Sequence, residues 1–341
     1  MLRAGGNSFF RPLGWRSSPD SVGMLPIRFN AIYQERVWGG RELESVYGRE
    51  LPSEGVPPVP IGESWEISDR EEAQSVVNDQ GGEFAGMSLN ELWNNEASRS
   101  RIFGDGLKGE RFPLLMKILD CRQDLSVQVH PPAELAEELG GEPKTEMWYI
   151  AGADKAAKLY VGLKDGVTKE SFEQSLTDGT VEEQIHAIEA VEGESIFIPS
   201  GRLHAIGAGY LIYEIQQNSD TTYRVFDWNR MGLDGVPREL HVEQSMRCID
   251  FDDVEPRMDE AVGGCIASCE YFKVDKMELG SGTEVGNPDK ERFSIVTVVS
   301  GELSDAAGRA YMAGDFMMLP RGAEALRVRD QTVIIQTTIP A

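Results

Sequence analysis

The stretch Gly193–Gly207, GESIFIPSGRLHAIG, decides how the rest of the chain is read. Its apolar residues suit a strand, and Pro199, Ser200 and Gly201 turn the chain tightly just before His204. Upstream, LSVQVHP (Leu125–Pro131) reads as another strand, and a period of two sets Ser126, Gln128 and His130 on one face. KTEMWYI (Lys144–Ile150) lies between them, with Lys144 and Glu146 sharing a strand face. Three of the four histidines, His130, His186 and His204, fall inside this region.

The frame of Gly193, Pro199, Gly201 and His204 resembles the second sequence motif of the cupin β-barrel family, where that histidine is a metal ligand. The expectation is a metal site of Gln128, His130, Glu146 and His204. Two imidazoles, a carboxylate and an amide, with no thiolate, suit zinc first and tolerate other divalent ions. One carboxylate leaves a divalent site with about one net positive charge, which favours an oxyanion developing on a bound substrate.

Working outward, GDFMMLPRGAEA (Gly314–Ala325) repeats the same frame, with Gly314, Pro320 and Gly322 in place and Ala325 where His204 stands. The chain therefore reads as two copies of one unit, the second stripped of its ligand. The fold class expected is mainly β with some short helices: two cupin-like (jelly-roll) β-barrels, the second without metal ligands. Residues 1–24 read as a disordered extension, 25–260 as the metal-binding domain with helical insertions, and 261–341 as the domain lacking ligands.

Bulk properties narrow the partners. The 341 residues are enough for two ordinary domains, and 40% hydrophobic with 26% charged content is that of a globular chain. A net charge of -24 argues against a nucleic-acid binder, which needs a basic surface. No window approaches the roughly 20 apolar residues of a membrane helix. Cys121, Cys248, Cys265 and Cys269 form no disulfide framework, so free thiols and a cytoplasmic protein are expected. Cys265 and Cys269 are read as core residues.

FPLLMKILD (Phe112–Asp120) is an apolar strand interrupted by Lys117. Lys117 either points to water from an edge strand or faces a polar interior that takes an anion. In YLIYEIQQNSDTTYRVFDWNR (Tyr210–Arg230), alternation brings Glu214 and Arg224 into one interior from neighbouring strands, as site residues or as a structural ion pair. Arg202 sits in the PSGRLH turn at the rim. Lysine and arginine gathered in an acidic chain suggest a phosphate-bearing ligand. Helices are expected over SLNELWNNEASRSRIFG, with Ser88 and Glu91 as a capping box, and over TKESFEQSLTDG, TVEEQIHAIEAV and PRELHVEQSMRCIDF. His186 and His241 fall on the last two; His186 is read as a surface or boundary residue and His241 as a surface residue.

These segments together, with RVWGG and GESWEIS upstream, closely resemble type I mannose-6-phosphate isomerase in its shorter bacterial form, in order from about Leu25 to Asp250. The resemblance implies a zinc-dependent aldose-ketose isomerase, one ion per chain, interconverting mannose 6-phosphate and fructose 6-phosphate through a cis-enediol. It matches Gln128, His130, Glu146 and His204 to the zinc ligands. It also matches Lys117, Ser126, Lys144, Glu214 and Arg224 to other active-site positions. On this reading Glu214 or Lys144 is the base and Arg224 stabilises charge, while Lys117, Ser126 and Arg202 bind substrate. The expected partner is a sugar phosphate, with no nucleic acid or membrane, and the chain acts as a monomer or homodimer. A non-catalytic sugar-phosphate-binding cupin and an iron-dependent cupin dioxygenase are the competing readings.

Overall fold

The computed structural model describes residues 24–340 apart from 54, 56 and 79–81, so the expected N-terminal extension lies outside the described residues except for Met24. The chain is mainly β with short helices. In chain order the strands are β1 (Ile32–Gly40), β2 (Ile61–Ile67), β3 (Asp69–Arg70), β4 (Ala73–Gln74), β5 (Leu114–Cys121), β6 (Val127–Val129), β7 (Glu146–Ala153) and β8 (Leu159–Leu163). There follow β9 (Ile185–Ile188), β10 (Ser195–Ile198), β11 (His204–Ile206), β12 (Tyr210–Gln217), β13 (Tyr223–Phe226), β14 (Cys265–Ser268) and β15 (Lys273–Leu279). The last are β16 (Glu284–Val285), β17 (Ser294–Ser300), β18 (Glu302–Ser304), β19 (Ala310–Met312), β20 (Phe316–Leu319), β21 (Leu326–Val328) and β22 (Thr332–Thr338).

These strands build two pairs of sheets. In the first pair the orders are β1-β2-β5-β12-β7-β10 and β13-β6-β11-β8-β9; in the second they are β14-β15-β22-β17-β20 and β16-β21-β18-β19. Each strand from β5 to β12 thus has a counterpart ten numbers later, from β15 to β22, with the same neighbours. The repeat suggested by two glycine-proline turns extends to eight consecutive strands.

Strand alternation sorts the side chains of the first unit into two layers. On β5 and β12, Met116, Ile118, Tyr213 and Ile215 point outward and join Val274, Ile295, Phe316 and Ile335 of the second unit in one core. Leu119 and Ile212 point inward and meet Leu159, Val161 and Ile206 from the opposing sheet. The six-stranded sheet is therefore buried on both faces, which is why FPLLMKILD reads as a nearly continuous apolar run. Trp93, Phe103, Phe112 and Phe293 pack with several edge-to-face contacts and tie the helical segment to the second unit. Backbone hydrogen bonds in both directions join Ile27 to Met318 across the units.

Local departures from expectation have local causes. The segment SLNELWNNEASRSRIFG forms two helices, Leu89–Asn94 and Glu96–Ile102, because extended Asn95 caps the second with its own side chain. The Ser88–Glu91 capping box is present. TVEEQIHAIEAV is a 3-10 turn followed by β9, so the expected helix around His186 is replaced by a strand paired with β8. Cys265 and Cys269 are only partly buried and all four thiols are free. Among the described residues no helix is long and apolar enough to cross a membrane.

Candidate active site and metal centre

The three charged or aromatic ligand candidates converge inside the first unit. His130 Nε2, Glu146 and His204 offer ligand atoms within 4.8 Å of one another, all buried. Pairing of β6 with β11 sets His204 directly opposite Gln128. Pairing of β10 with β7 sets Glu146 opposite Ile198, the residue before the Pro199 turn. Within that turn Gly201, at φ 90°, donates its N–H to the His130 carbonyl at 3.0 Å. The left-handed backbone explains the glycine, and the bond holds His130 against the strand that delivers His204.

Both imidazoles are prepared in the same way. His130 Nδ1 lies 2.9 Å from the Thr221 carbonyl and His204 Nδ1 lies 2.9 Å from that of Arg202. Each carbonyl fixes the proton on Nδ1 and leaves an Nε2 lone pair facing Glu146. The Nε2 atoms stand 3.4 Å and 3.8 Å from the Glu146 carboxylate. Burial, reinforced by the Lys144 ammonium, lowers the His130 pKa to about 3, and burial lowers that of His204 as well. Burial by itself would raise Glu146, but the Lys144 ammonium beside it holds it well below the usual carboxylate range. The result is two neutral nitrogen donors and one anionic oxygen donor. Gln128 Nε2 is 3.2 Å from His204 Nε2, and a half-turn of the amide would present its oxygen instead.

His130 Nε2 and Glu146 Oε2 make no well-aligned hydrogen bond, although Lys144 Nζ lies 3.0 Å from that oxygen. Buried polar atoms are normally paired, so lone pairs left facing one point fit a bound cation.

Beside this cluster opens a cavity of about 380 Å³, lined in part by Gln128, Lys144, Glu214, Ser126 and Arg224. Lys117 lines it too, and β5 is an interior strand, so the edge-strand alternative is set aside. Only 3% exposed, its ammonium is surrounded by Glu214 at 3.2 Å, Glu63 at 3.8 Å and Asp220 at 3.9 Å. Burial opposes the charged lysine, but Glu214 and Glu63 outweigh it and raise its pKa. Glu63 pays for its own burial through Lys117 and Arg36, which bring its pKa down to about 2. Glu214 is pushed the other way, by burial and then by Glu146. Trp148 Nε1 lies between these carboxylates, 2.9 Å from Glu146 Oε1 and 3.3 Å from Glu214 Oε2.

The structure separates the remaining expected residues. Glu214 and Arg224 form no ion pair. Arg224 donates to Ser126 Oγ at 3.2 Å and to the Glu239 carbonyl at 3.0 Å, and has no carboxylate within ion-pair distance among the described residues. Arg202 is not brought to the cavity: Asp253 holds its guanidinium through two bonds of 2.8 Å. His241, read as a surface residue, lines the cavity instead, as do Arg36, Glu63, Asp220 and Arg238. Alternation in GESWEIS could have flagged Glu63. His241 and Arg238 arrive from a loop whose path no periodicity records.

Known proteins match this arrangement along most of the chain. The family model described as phosphomannose isomerase type I, catalytic domain, matches residues 27–156. Mannose-6-phosphate isomerase ManA of Bacillus subtilis (strain 168) is 36% identical over 309 residues, covering 87% of this chain and 93% of the relative. The chain belongs to the type I phosphomannose isomerases. As a member of that family it is an aldose-ketose isomerase acting on a sugar phosphate, which sets aside the dioxygenase and non-catalytic readings. The crystal structure of the Bacillus subtilis mannose 6-phosphate isomerase superposes with a TM-score of 0.80 at 32% identity, covering 92% of this chain and 99% of the other. A mannose 6-phosphate isomerase bound with zinc and yttrium shares the phosphomannose isomerase fold at 15% identity, with a TM-score of 0.71 and coverage of 93% and 100%.

Proposed function

We propose that this isomerase interconverts mannose 6-phosphate and fructose 6-phosphate through a cis-enediol, with one zinc ion held by Gln128, His130, Glu146 and His204. The observation that carries the metal assignment is the pair of buried imidazoles whose Nε2 atoms stand 3.4 Å and 3.8 Å from the buried Glu146 carboxylate, with no hydrogen bond made by His130 Nε2. A bound zinc ion supplies Lewis acidity to the sugar oxygens as negative charge develops on them.

The chain's own residues handle the protons. Glu214 takes the proton from C2 of open-chain mannose 6-phosphate while the C–H electron pair forms the C1–C2 double bond and the C1 oxygen gains a proton. Return of the proton from Glu214 to C1, with loss of the O2 proton as the C2 carbonyl forms, completes the isomerisation. Glu214 is preferred over Lys144 as the base because its carboxylate lines the cavity with oxygens that can accept a proton, whereas the Lys144 ammonium is a donor directed at Glu146, 3.0 Å away. Burial that raises the Glu214 pKa also brings it closer to the range useful for proton transfer. Lys144 serves as the adjacent donor to oxygen, and Lys117 positions Glu214. Arg224, with Ser126 hydrogen-bonded to it, receives the phosphate; Arg202 is left out of the site.

Residues 25–260 then form the catalytic domain and 261–341 a domain without metal. Four free thiols support a cytoplasmic setting. Purified protein should convert mannose 6-phosphate to fructose 6-phosphate, lose that activity on dialysis against a chelator, and regain it with zinc. Full activity in metal-free protein would sink the metal assignment.

A further inference from the structure

His241 occupies the N-cap of the helix Val242–Cys248, yet its side chain makes no capping bond. N-caps are usually Ser, Thr, Asp or Asn, so capping does not account for an imidazole here. The residue turns instead toward β13, the edge strand of its sheet. His241 N donates to the Arg224 carbonyl at 2.7 Å, and Arg224 N donates to His241 Nδ1 at 3.3 Å. An edge strand offers unpaired N–H and C=O groups, and His241 covers both at Arg224.

The second bond decides the tautomer. An Nδ1 that accepts from a backbone N–H leaves the neutral ring with its proton on Nε2. Burial, and then the Arg224 guanidinium, lower the imidazole pKa and favour this neutral form, with Glu239 opposing. Among the described residues Nε2 has no hydrogen-bond partner, while the residue lines the cavity beside Arg224 and Arg238. Asp227 holds Arg238 bidentately, whereas Arg224 keeps no carboxylate. A fixed neutral donor thus stands next to a guanidinium that donates only to the Ser126 hydroxyl and the Glu239 carbonyl, with no carboxylate to neutralise it among the described residues.

We propose that His241 is a substrate-binding residue whose Nε2–H donates to the phosphate group of the sugar beside Arg224. The inference rests on the sugar-phosphate reading of this cavity and adds a residue to it. A neutral donor contributes a hydrogen bond to the anion without further repulsion between the neighbouring guanidinium groups.

His241→Leu tests the donor and His241→Gln restores an amide N–H. The leucine variant should raise KM for mannose 6-phosphate roughly tenfold and change kcat by less than about twofold, with a smaller KM effect in His241→Gln. Inorganic phosphate, titrated calorimetrically, should bind the leucine variant more weakly by a similar factor. Unchanged KM and phosphate affinity in folded His241→Leu would overturn the inference, as would a fall in kcat with KM unaltered. The two readings fail separately. Phosphate binding that depends on His241 in a protein unable to isomerise mannose 6-phosphate would keep this inference and remove the other; normal turnover with phosphate affinity untouched by His241→Leu would do the reverse.

Discussion

Strands β5–β12 and β15–β22 follow the same path, but their interiors have been filled by opposite rules. Leu319 before Pro320 faces Ser294, as Ile198 before Pro199 faces Glu146, so Ser294 takes the place of Glu146. Gln336 faces Val296 where Glu214 faces Trp148. Ala325 stands for His204, and the register of Val285 with Leu326 puts Gly286 in the place of Gln128 and Pro288 in that of His130. The counterparts of Glu146 and Glu214, Ser294 and Gln336, are neutral and hydrogen-bonded. Gln336 Nε2 donates to Ser294 Oγ at 2.8 Å and to the Gly286 carbonyl at 3.0 Å, and Ser294 Oγ donates to Asn287 Oδ1 at 2.7 Å. The first unit buries charge and leaves lone pairs turned toward one another. The fold does not require that arrangement, since the second unit lacks it, and so the strained interior belongs to the chemistry.

His204→Ala makes the first unit copy the second at the ligand position, and should have the largest effect. Retained fold with metal content near zero by elemental analysis, and turnover lower by roughly 10³–10⁴-fold, is expected from several kcal/mol of lost charge stabilisation. Metal retained at wild-type level would show that the second unit, or ligands other than these, can hold the ion. Glu214→Gln copies Gln336 and leaves every proposed ligand in place. Metal content should then stay unchanged while kcat falls roughly 10²–10³-fold, the scale of a lost general base. Near-normal kcat would transfer the base role away from Glu214.

The same comparison explains what could be read from the chain alone. The convergence of His130, Glu146 and His204 around the frame of Gly193, Pro199 and Gly201 was legible because turn geometry and strand alternation fix where those side chains point. That the second frame carries no histidine was equally legible, from Ala325. Lys117 was ambiguous because a lysine in an apolar run looks the same on an edge strand and in a sheet centre; only strand order separates the two. Arg202 stood beside His204 in sequence, but its partner Asp253 arrives from 51 residues away and removes it from the cavity. TVEEQIHAIEAV carries an apolar pattern short enough to suit helix or strand, and pairing with β8 settled it. His241 was hidden for a related reason: its helix was visible, while the loop that brings its ring back to Arg224 has no periodic signature.

The smallest effect should come from the second unit itself, at Gln336. Its side chain is 3% exposed and spans the Gly286 carbonyl and Ser294 Oγ. Gln336→Leu keeps a similar volume but strands that carbonyl without a donor, while Ser294 retains Asn287 as its acceptor. One unsatisfied buried acceptor costs about 1–3 kcal/mol, so thermal unfolding should move down by several degrees, at roughly 2–4 °C per kcal/mol for a large domain. Because the six-stranded sheet packs directly on this unit through Tyr213 and Phe316, whose rings lie 5.5 Å apart, a disturbance has a physical route to Glu214 on the same strand as Tyr213. If the second unit acts only as a packing partner, kcat, KM and metal content of Gln336→Leu should match wild type below its unfolding range. A fall in kcat without loss of metal or fold would instead mean that the ligand-free copy holds β12 in its working position, and the two interiors would no longer be independent.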